Sequence, residues 1–363
     1  MNIAALASGG VDSSVSIHLL CEQGLKPDLF YIKIGMEGFD KDFSCSQEED
    51  LEVVSWIAKQ YGLHLEVVDL QQEYWNNVVA YTLDKVRKGL TPNPDVMCNR
   101  LIKFGAFNEK VGVHYDKIMT GHYATIVGKD NLLWLGTGVD LVKDQTDFLA
   151  QIDSWQLNKA IFPIGDLPKS EVRRIAAEHR LVSATRKDSQ GICFLGKINY
   201  NDFIEKYLGT KEGNLVEYET NKVMGKHKGF WFHTIGQRKG IGLSGGPWYV
   251  CKKDMENNIV YITRNPNIED LFRDEYANRI VTINLGKHIH WITKNPFGEA
   301  DASFDITFKI RHQPYFLHGS ICHKNDNWFI VPRDEVIGIA PGQFCVIYDN
   351  ESKICFGSGE ITL

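Results

Sequence analysis

Near the start of the chain stands Ile3-Ala-Ala-Leu-Ala-Ser-Gly-Gly-Val-Asp-Ser-Ser14: an apolar run, a turn built on two glycines, and the polar opening of a helix. Asn2 to Ala7 reads as a short buried strand, and Val15 to Glu22 carries helical apolar spacing that ends near Gly24. Glycines let the backbone approach a ligand closely. Successive N–H groups and the positive end of the helix dipole then face an anion, and the serine hydroxyls add donors. This is a phosphate cradle. It lacks both the Gly-Lys-Ser/Thr ending of a Walker loop and the GxGxxG spacing of a dinucleotide fold.

Outward from the cradle, strands alternate with helices. Asp28 to Ile34, His64 to Leu70 and Lys117 to Thr120 read as further strands. Ser46-Gln-Glu-Glu49 resembles a capping box opening a helix to about Tyr61, Gln71 to Lys88 reads as another helix, and Thr91-Pro-Asn-Pro-Asp95 is a breaker segment followed by a third helix from about Asn99. This alternation predicts a parallel sheet with helices on its faces. After about residue 200 the helical periods fade. Short β-rich runs replace them at Trp248 to Lys252, Ile259 to Thr263, Ser303 to Ile310, Trp328 to Val331 and Cys345 to Tyr348. Asn265-Pro-Asn267 punctuates a boundary. The expected organisation is an α/β domain over residues 1–198, a small central domain over 199–266 and an all-β, barrel-like domain over 274–363.

Composition narrows the function classes. The 363 residues are 43% hydrophobic and 24% charged, ordinary for a globular chain. No run approaches the ~18 apolar residues of a membrane span, and the first residues do not read as a signal peptide, so a cytoplasmic protein is expected. The net charge is -6. Yet residues 168–240 hold 14 Lys plus Arg against 8 Asp plus Glu, a net of +6 that leaves -12 on the remainder. Such a local excess suits a polyanion.

Two of the eight cysteines stand in polar, glycine- or proline-rich settings. Cys98, in Thr91-Pro-Asn-Pro-Asp-Val-Met-Cys98, is expected at the start of a helix, where the dipole favours thiolate. Asp95, three residues earlier, is placed to move a proton for the same substrate. Cys193, in Lys187-Asp-Ser-Gln-Gly-Ile-Cys-Phe-Leu-Gly196, is flanked by glycines. Cys21, Cys251, Cys322, Cys345 and Cys355 lie in apolar stretches and read as packing residues. No pair shows CxxC spacing, and the acidic stretch at residues 40–50 lacks metal-loop spacing, so no metal site is expected.

The string SGGVDSS resembles the PP-loop of the ATP pyrophosphatases. With it, in order, stand TPNPDxxCNxxIKF at 91–104, TGHY at 120–123, KDQ at 143–145, KDSxGICFxG at 187–196 and HTxGQRKGxG at 233–242. Thr307 to His312 and Pro341-Gly-Gln343 extend the match to the C-terminal module. Together they resemble the bacterial tRNA-specific 2-thiouridylases (the MnmA/TrmU family) over nearly the whole chain. Departures are Ala7 in place of Met, Thr146-Asp147 in place of Ser-Tyr, and His312 in place of Tyr.

The resemblance implies an adenine nucleotide α-hydrolase-like PP-loop domain and ATP-dependent 2-thiolation of uridine 34 in tRNAs for Lys, Glu and Gln, a tRNA-uridine 2-sulfurtransferase activity. Leu6, Ala7, Ser8, Gly9, Gly10, Val11, Asp12, Ser13, Ile32 and Gly121 would bind ATP, with Mg²⁺ accompanying the nucleotide. Cys193 would carry a persulfide delivered by a cysteine desulfurase or a sulfur-relay protein, Cys98 would be its thiol partner, and Asp95 the acid/base. Asn93, Pro94 and Asp95 would meet the target base. His122, Lys143, Asp144, Gln145, Arg238, Lys239, Arg311, His312 and Gln343 would touch tRNA, and a monomer is expected. The cradle alone also fits a small-molecule ATP pyrophosphatase such as an amide ligase. That reading leaves both cysteines and the basic segment without roles. An RNA-binding module without catalysis leaves the cradle without one.

Overall fold

The computed structural model describes residues 1–34, 42–188, 200–266, 282–298 and 302–362; Cys193 lies outside them. Strands β1 (Ile3–Leu6), β2 (Asp28–Lys33), β3 (Leu65–Asp69) and β4 (Lys117–Met119) are followed by a hairpin, β5 (Ala124–Lys129) and β6 (Leu132–Thr137), and then by β7 (Ala160–Ile161). The first sheet has the order β3-β2-β1-β4-β7, every pairing parallel. Its side chains alternate between two apolar layers. Ala4, Leu6, Phe30 and Ile32 pack with Val78, Leu83, Ile102 and Phe107, while Ile3, Ala5, Leu29 and Tyr31 pack with Ile17, Leu20, Val54 and Ile57. A sheet buried on both faces requires this uninterrupted apolar character.

The strand order has a functional consequence. From β1 the chain moves outward through β2 to β3, then returns to place β4 on the other side of β1. At such a reversal the connections leave in opposite directions and open a crevice beyond the carboxyl ends of the strands. Here the crevice falls between the turn after β1 and the turn after β4.

The helix Val11–Glu22 follows β1 directly, and Asp42–Tyr61 begins earlier than its capping box predicts. The helical run 71–87 contains a π segment, Trp75–Val79. A second run begins at Pro94, not near Asn99, and passes from Pro94–Cys98 into a π segment, Asn99–Ala106. The proline that reads as a breaker occupies the first helical position, where a missing N–H costs nothing.

The central module is a four-stranded sheet of β8 (Gly213–Glu217), β9 (Val223–His227), β10 (Tyr249–Asp254) and β11 (Ile259–Thr263), in the order β10-β11-β8-β9. The C-terminal module contributes β12 (Ile283–Asn284), β13 (Ile289–Trp291), β14 (Ser303–Lys309), β15 (Leu317–Lys324), β16 (Asn327–Pro332), β17 (Phe344–Tyr348) and β18 (Ile354–Glu360). Its sheet is not self-contained. The order β12-β16-β15-β14-β17-β18-β6-β5 adds the hairpin of the first domain to its edge, with Ile354 opposite Gly136 and Cys355 opposite Leu135. Val346, Tyr348 and Cys355 accordingly share one apolar core with Ala4 and Leu6.

Candidate active site

The turn after β1 is shaped by its glycines. Gly9 has φ +74°, and a Cβ there would lie 2.8 Å from the Asp50 carbonyl oxygen and 2.9 Å from Nη1 of Arg186. Arg186 also donates to the Gly9 carbonyl at 3.0 Å and pairs with Asp50 at 2.7 Å. Protein therefore closes one side of Gly9. The serine hydroxyls act differently from the sequence expectation: Ser13 and Ser14 donate to the Gly10 carbonyl at 3.0 and 2.8 Å, fixing the turn. Among the described residues no side chain caps the helix Val11–Glu22, so its first-turn N–H groups supply the anion-binding character. Across the crevice, a Cβ on Gly121 would lie 2.8 Å from the Ser13 nitrogen, so the turn after β4 packs flush against the cradle. Leu6, Ala7 and Ile32 are buried beside it.

Behind the cradle lies an ionic cluster that the sequence reading missed. Asp12 accepts from the Tyr123 hydroxyl at 2.7 Å and from Lys169 at 2.7 and 2.9 Å. Lys169, 13% exposed, also pairs with Asp188 at 2.9 Å. Asp188 is paired in turn with Lys143 at 2.9 Å and with Arg173 at 2.5 Å. Burial raises the Asp188 carboxyl, but the hydrogen bonds from Lys143 and Lys169 outweigh it and hold the group well below the usual range. The Asp140 carboxylate accepts from the Lys169 backbone N–H at 2.9 Å, so three cations meet three carboxylates in a matched cluster beside the turn. The available signal was position: Asp188 stands in the KDSxG motif and Lys169 opens a helix.

The segment 91–98 is held from the C-terminal module. Gln343 Nε2 donates to the carbonyls of Thr91 at 3.2 Å and Pro92 at 2.9 Å, and the Thr91 N–H donates to the Pro341 carbonyl at 2.8 Å. Lys85 and Glu360 add an ion pair at 2.5 Å. Asn93 caps the helix by accepting from the Val96 N–H at 3.4 Å, and Pro94 is buried at its first position. Asp95 sits half-buried in the first turn. Cys98 lies one turn further in and is 1% exposed, so the expected placement at the helix start is corrected. A cavity of about 250 Å³ separates Thr91 and Pro92 from Tyr200, Trp231, Phe232 and Lys253. Burial pushes the Lys253 amine down to about 8.

Several residues expected to touch tRNA are engaged within the chain. Asp144 is wholly buried, accepting from Lys309 at 2.8 Å, from Thr146 and from the Gly138 N–H. Burial raises its carboxyl above the ordinary value despite Lys309. It presents nothing to RNA in this conformation. His122 is 8% exposed, with Nδ1 2.8 Å from the Thr120 hydroxyl and Nε2 3.5 Å from Lys103. Burial, then the Lys103 charge, pushes it well below its ordinary value, so it is a neutral buried imidazole. Gln145 accepts from the Tyr123 N–H at 3.2 Å, Lys143 pairs with Asp188, and Gln343 holds the 91–92 carbonyls. Arg238, Lys239 and Arg311 are exposed, and His312 is 44% exposed.

Family models cover the described modules. A tRNA methyl transferase HUP domain model matches residues 1–197, a tRNA methyl transferase PRC-barrel domain model matches 201–264, and an aminomethyltransferase β-barrel domain model matches 282–361. The chain is 60% identical over 363 residues to tRNA-specific 2-thiouridylase MnmA 1 of Bacteroides thetaiotaomicron, covering 100% of both chains. It is 55% identical over 361 residues to tRNA-specific 2-thiouridylase MnmA of Parabacteroides distasonis, covering 99% of each. A solved 4-thiouridine synthetase–RNA complex with bound ATP overlaps distantly, with TM-score 0.35 and 16% identity over 56% of this chain and 49% of that one. Identity at this level over the full length leaves one assignment: the chain belongs to the tRNA-specific 2-thiouridylase (MnmA/TrmU) family.

Proposed function

We propose that the chain is an ATP-dependent tRNA-uridine 2-sulfurtransferase that converts uridine 34 of tRNAs for Lys, Glu and Gln to 2-thiouridine, releasing AMP and pyrophosphate. The observation that carries this reading is the meeting of the SGGVDSS turn and Gly121 at the switch point of the sheet, in a chain of this family. The residues fit a nucleotide polyphosphate: an uncapped helix start, glycines in close approach, and Lys169 held beside the turn by Asp12 and Asp188. Mg²⁺ would accompany the nucleotide and screen its phosphates.

In the proposed reaction the C2 oxygen of the uridine attacks the α-phosphate of ATP and pyrophosphate leaves. Asp95, at the helix start below Asn93 and Pro94, handles the proton. Cys193 carries a persulfide whose terminal sulfur attacks C2, and AMP leaves. Cys98 then attacks the remaining sulfur–sulfur bond, giving a Cys98–Cys193 disulfide that a thiol reductant later opens. The sulfur comes from a relay protein fed by a cysteine desulfurase, and the chain works as a cytoplasmic monomer. Among the described residues no helix is long and apolar enough to cross a membrane.

The test is the substrate dependence of pyrophosphate release from ATP. Release should require tRNA bearing uridine 34, and mass analysis of that nucleoside should gain one sulfur in place of oxygen when a persulfide donor is added. Equal release with a small amide or acid and no tRNA would favour the ligase reading.

A further inference from the structure

The short helix Thr146–Leu149 and the segment following β14 meet at a contact that the proposed reaction does not use. Asp147 is 5% exposed, and its Oδ2 lies 2.9 Å from Nδ1 of His312. Its other oxygen, Oδ1, is buried with no hydrogen-bond partner among the described residues. A half-satisfied buried carboxylate is costly unless its one partner carries a compensating charge. His312 is the group placed to supply it. The imidazole stacks on the Phe148 ring, centroids 4.8 Å apart at 28°, which fixes its plane. Its side chain is 44% exposed, and the exposed Arg311 precedes it. On the other side, the Phe148 carbonyl accepts from Asn99, the residue after Cys98, at 3.0 Å.

The neighbouring groups offer no alternative. Lys309, on β14, is wholly buried and occupied by Asp144 at 2.8 Å. Tyr348 and Cys355, from β17 and β18, are buried and pushed well up by that burial, so both are neutral. The hydrogen bond to Asp147 raises the His312 imidazole above its ordinary value, against the smaller opposing effect of burial. The fold thus makes Asp147 and His312, 165 residues apart in sequence, direct partners.

We propose that Asp147 favours the imidazolium form of His312 and so makes it, together with Arg311, a cationic contact for an RNA phosphate. The proposal rests on the tRNA reading above. Asp147 is a positioning residue, acting only through His312. The sign follows from the direction of the shift. A raised imidazole is fully charged below the ordinary histidine value and loses its charge as pH climbs through the raised one, so RNA affinity and the pair's share of stability both fade on the alkaline side.

Two readouts on the full chain test this, one of them independent of RNA. NMR titration of the His312 ring, assigned by its loss in His312→Gln, should give an elevated midpoint that returns to the ordinary histidine range in Asp147→Asn. Binding of the substrate tRNA at fixed salt should weaken about threefold from about pH 6 to about pH 9, the effect of losing one phosphate contact. Asp147→Asn should bind at neutral pH as the wild type does at alkaline pH. His312→Gln should bind weakly at every pH, and His312→Lys tightly at every pH. Thermal unfolding confirms that each variant is folded. An ordinary midpoint in the wild type, or one unmoved in Asp147→Asn, overturns the proposal at its root. An elevated midpoint with pH-independent tRNA affinity in the wild type overturns the RNA contact. Failure of the 2-thiouridylase reading itself shows separately, as pyrophosphate release indifferent to tRNA.

Discussion

The phosphate end and the RNA end of the proposed centre are built from different materials. At the phosphate end the work falls to backbone: glycines at 9 and 121, an uncapped helix start, and hydroxyls that fix the turn. At the RNA end it falls to side chains, and many of those are already engaged inside the protein. Asp144 neutralises Lys309, Lys143 anchors Asp188, and Gln343 holds the carbonyls of Thr91 and Pro92. A polar motif is therefore weaker testimony to ligand contact than a glycine turn. A polar side chain has many possible intramolecular partners, whereas a positive-φ glycine at a strand end has few uses.

The sharpest way to break this contrast is the buried pair. Lys309→Met strands the Asp144 carboxylate and should cost about 3–5 kcal/mol of stability, read as a large fall in the thermal midpoint. A variant of unchanged stability that binds tRNA poorly would return Asp144 to the RNA surface. Next comes Gly9→Val. Its side chain would strike the Asp50 carbonyl and Arg186 and strain a backbone at φ +74°, so tRNA-dependent pyrophosphate release should fall at least about a hundredfold. Tight tRNA binding should persist, and wild-type ATP affinity in equilibrium titration would sink the cradle.

Gln343→Leu separates positioning from contact. Loss of the two carbonyl bonds should loosen the loop carrying Asp95 and lower kcat for pyrophosphate release about tenfold, as expected for a small misplacement of a reacting group. The tRNA Kd should stay within about twofold; a raised Kd with normal kcat would make Gln343 an RNA contact. The smallest effect is assigned to the exposed basic turn. Reversing Arg238 and Lys239 together should weaken tRNA binding and flatten a wild-type log–log salt slope of roughly -3 to -6 by up to about 2. An unchanged slope would move the RNA elsewhere.

Much of the first domain was legible because its signals are local. The β1 turn, the apolar runs of β2 and β4 and the helix after the turn are all fixed by residues within a few positions of one another. What escaped was fixed by distant partners. The hairpin β5–β6 has its marker in Asp130-Asn131, both at positive φ, yet nothing nearby tells that β6 will pair with β18. Lys309 stands in the β-rich run Ser303 to Ile310 with nothing nearby to mark it as charge-paired until Asp144, far back in the chain, is placed 2.8 Å away. Cys98 was misplaced for a local reason: Pro94 was read as a breaker, although a proline is also a favoured way to begin a helix.

The shared sheet also sets a timetable for synthesis. The β5–β6 hairpin leaves the ribosome some two hundred residues before Ile354–Glu360, the strand that covers its edge. At about 5–20 residues per second that edge waits on the order of ten seconds or more, an open template for strand pairing with other nascent chains. The hairpin meets this interval with Lys129, Asp130 and Asn131 exposed at its tip, residues that discourage edge-to-edge growth. Pro341 and Gln343 arrive just as late, so the 91–92 segment lacks its anchor until translation is nearly complete, and a truncated chain carries the cradle without a finished reaction centre.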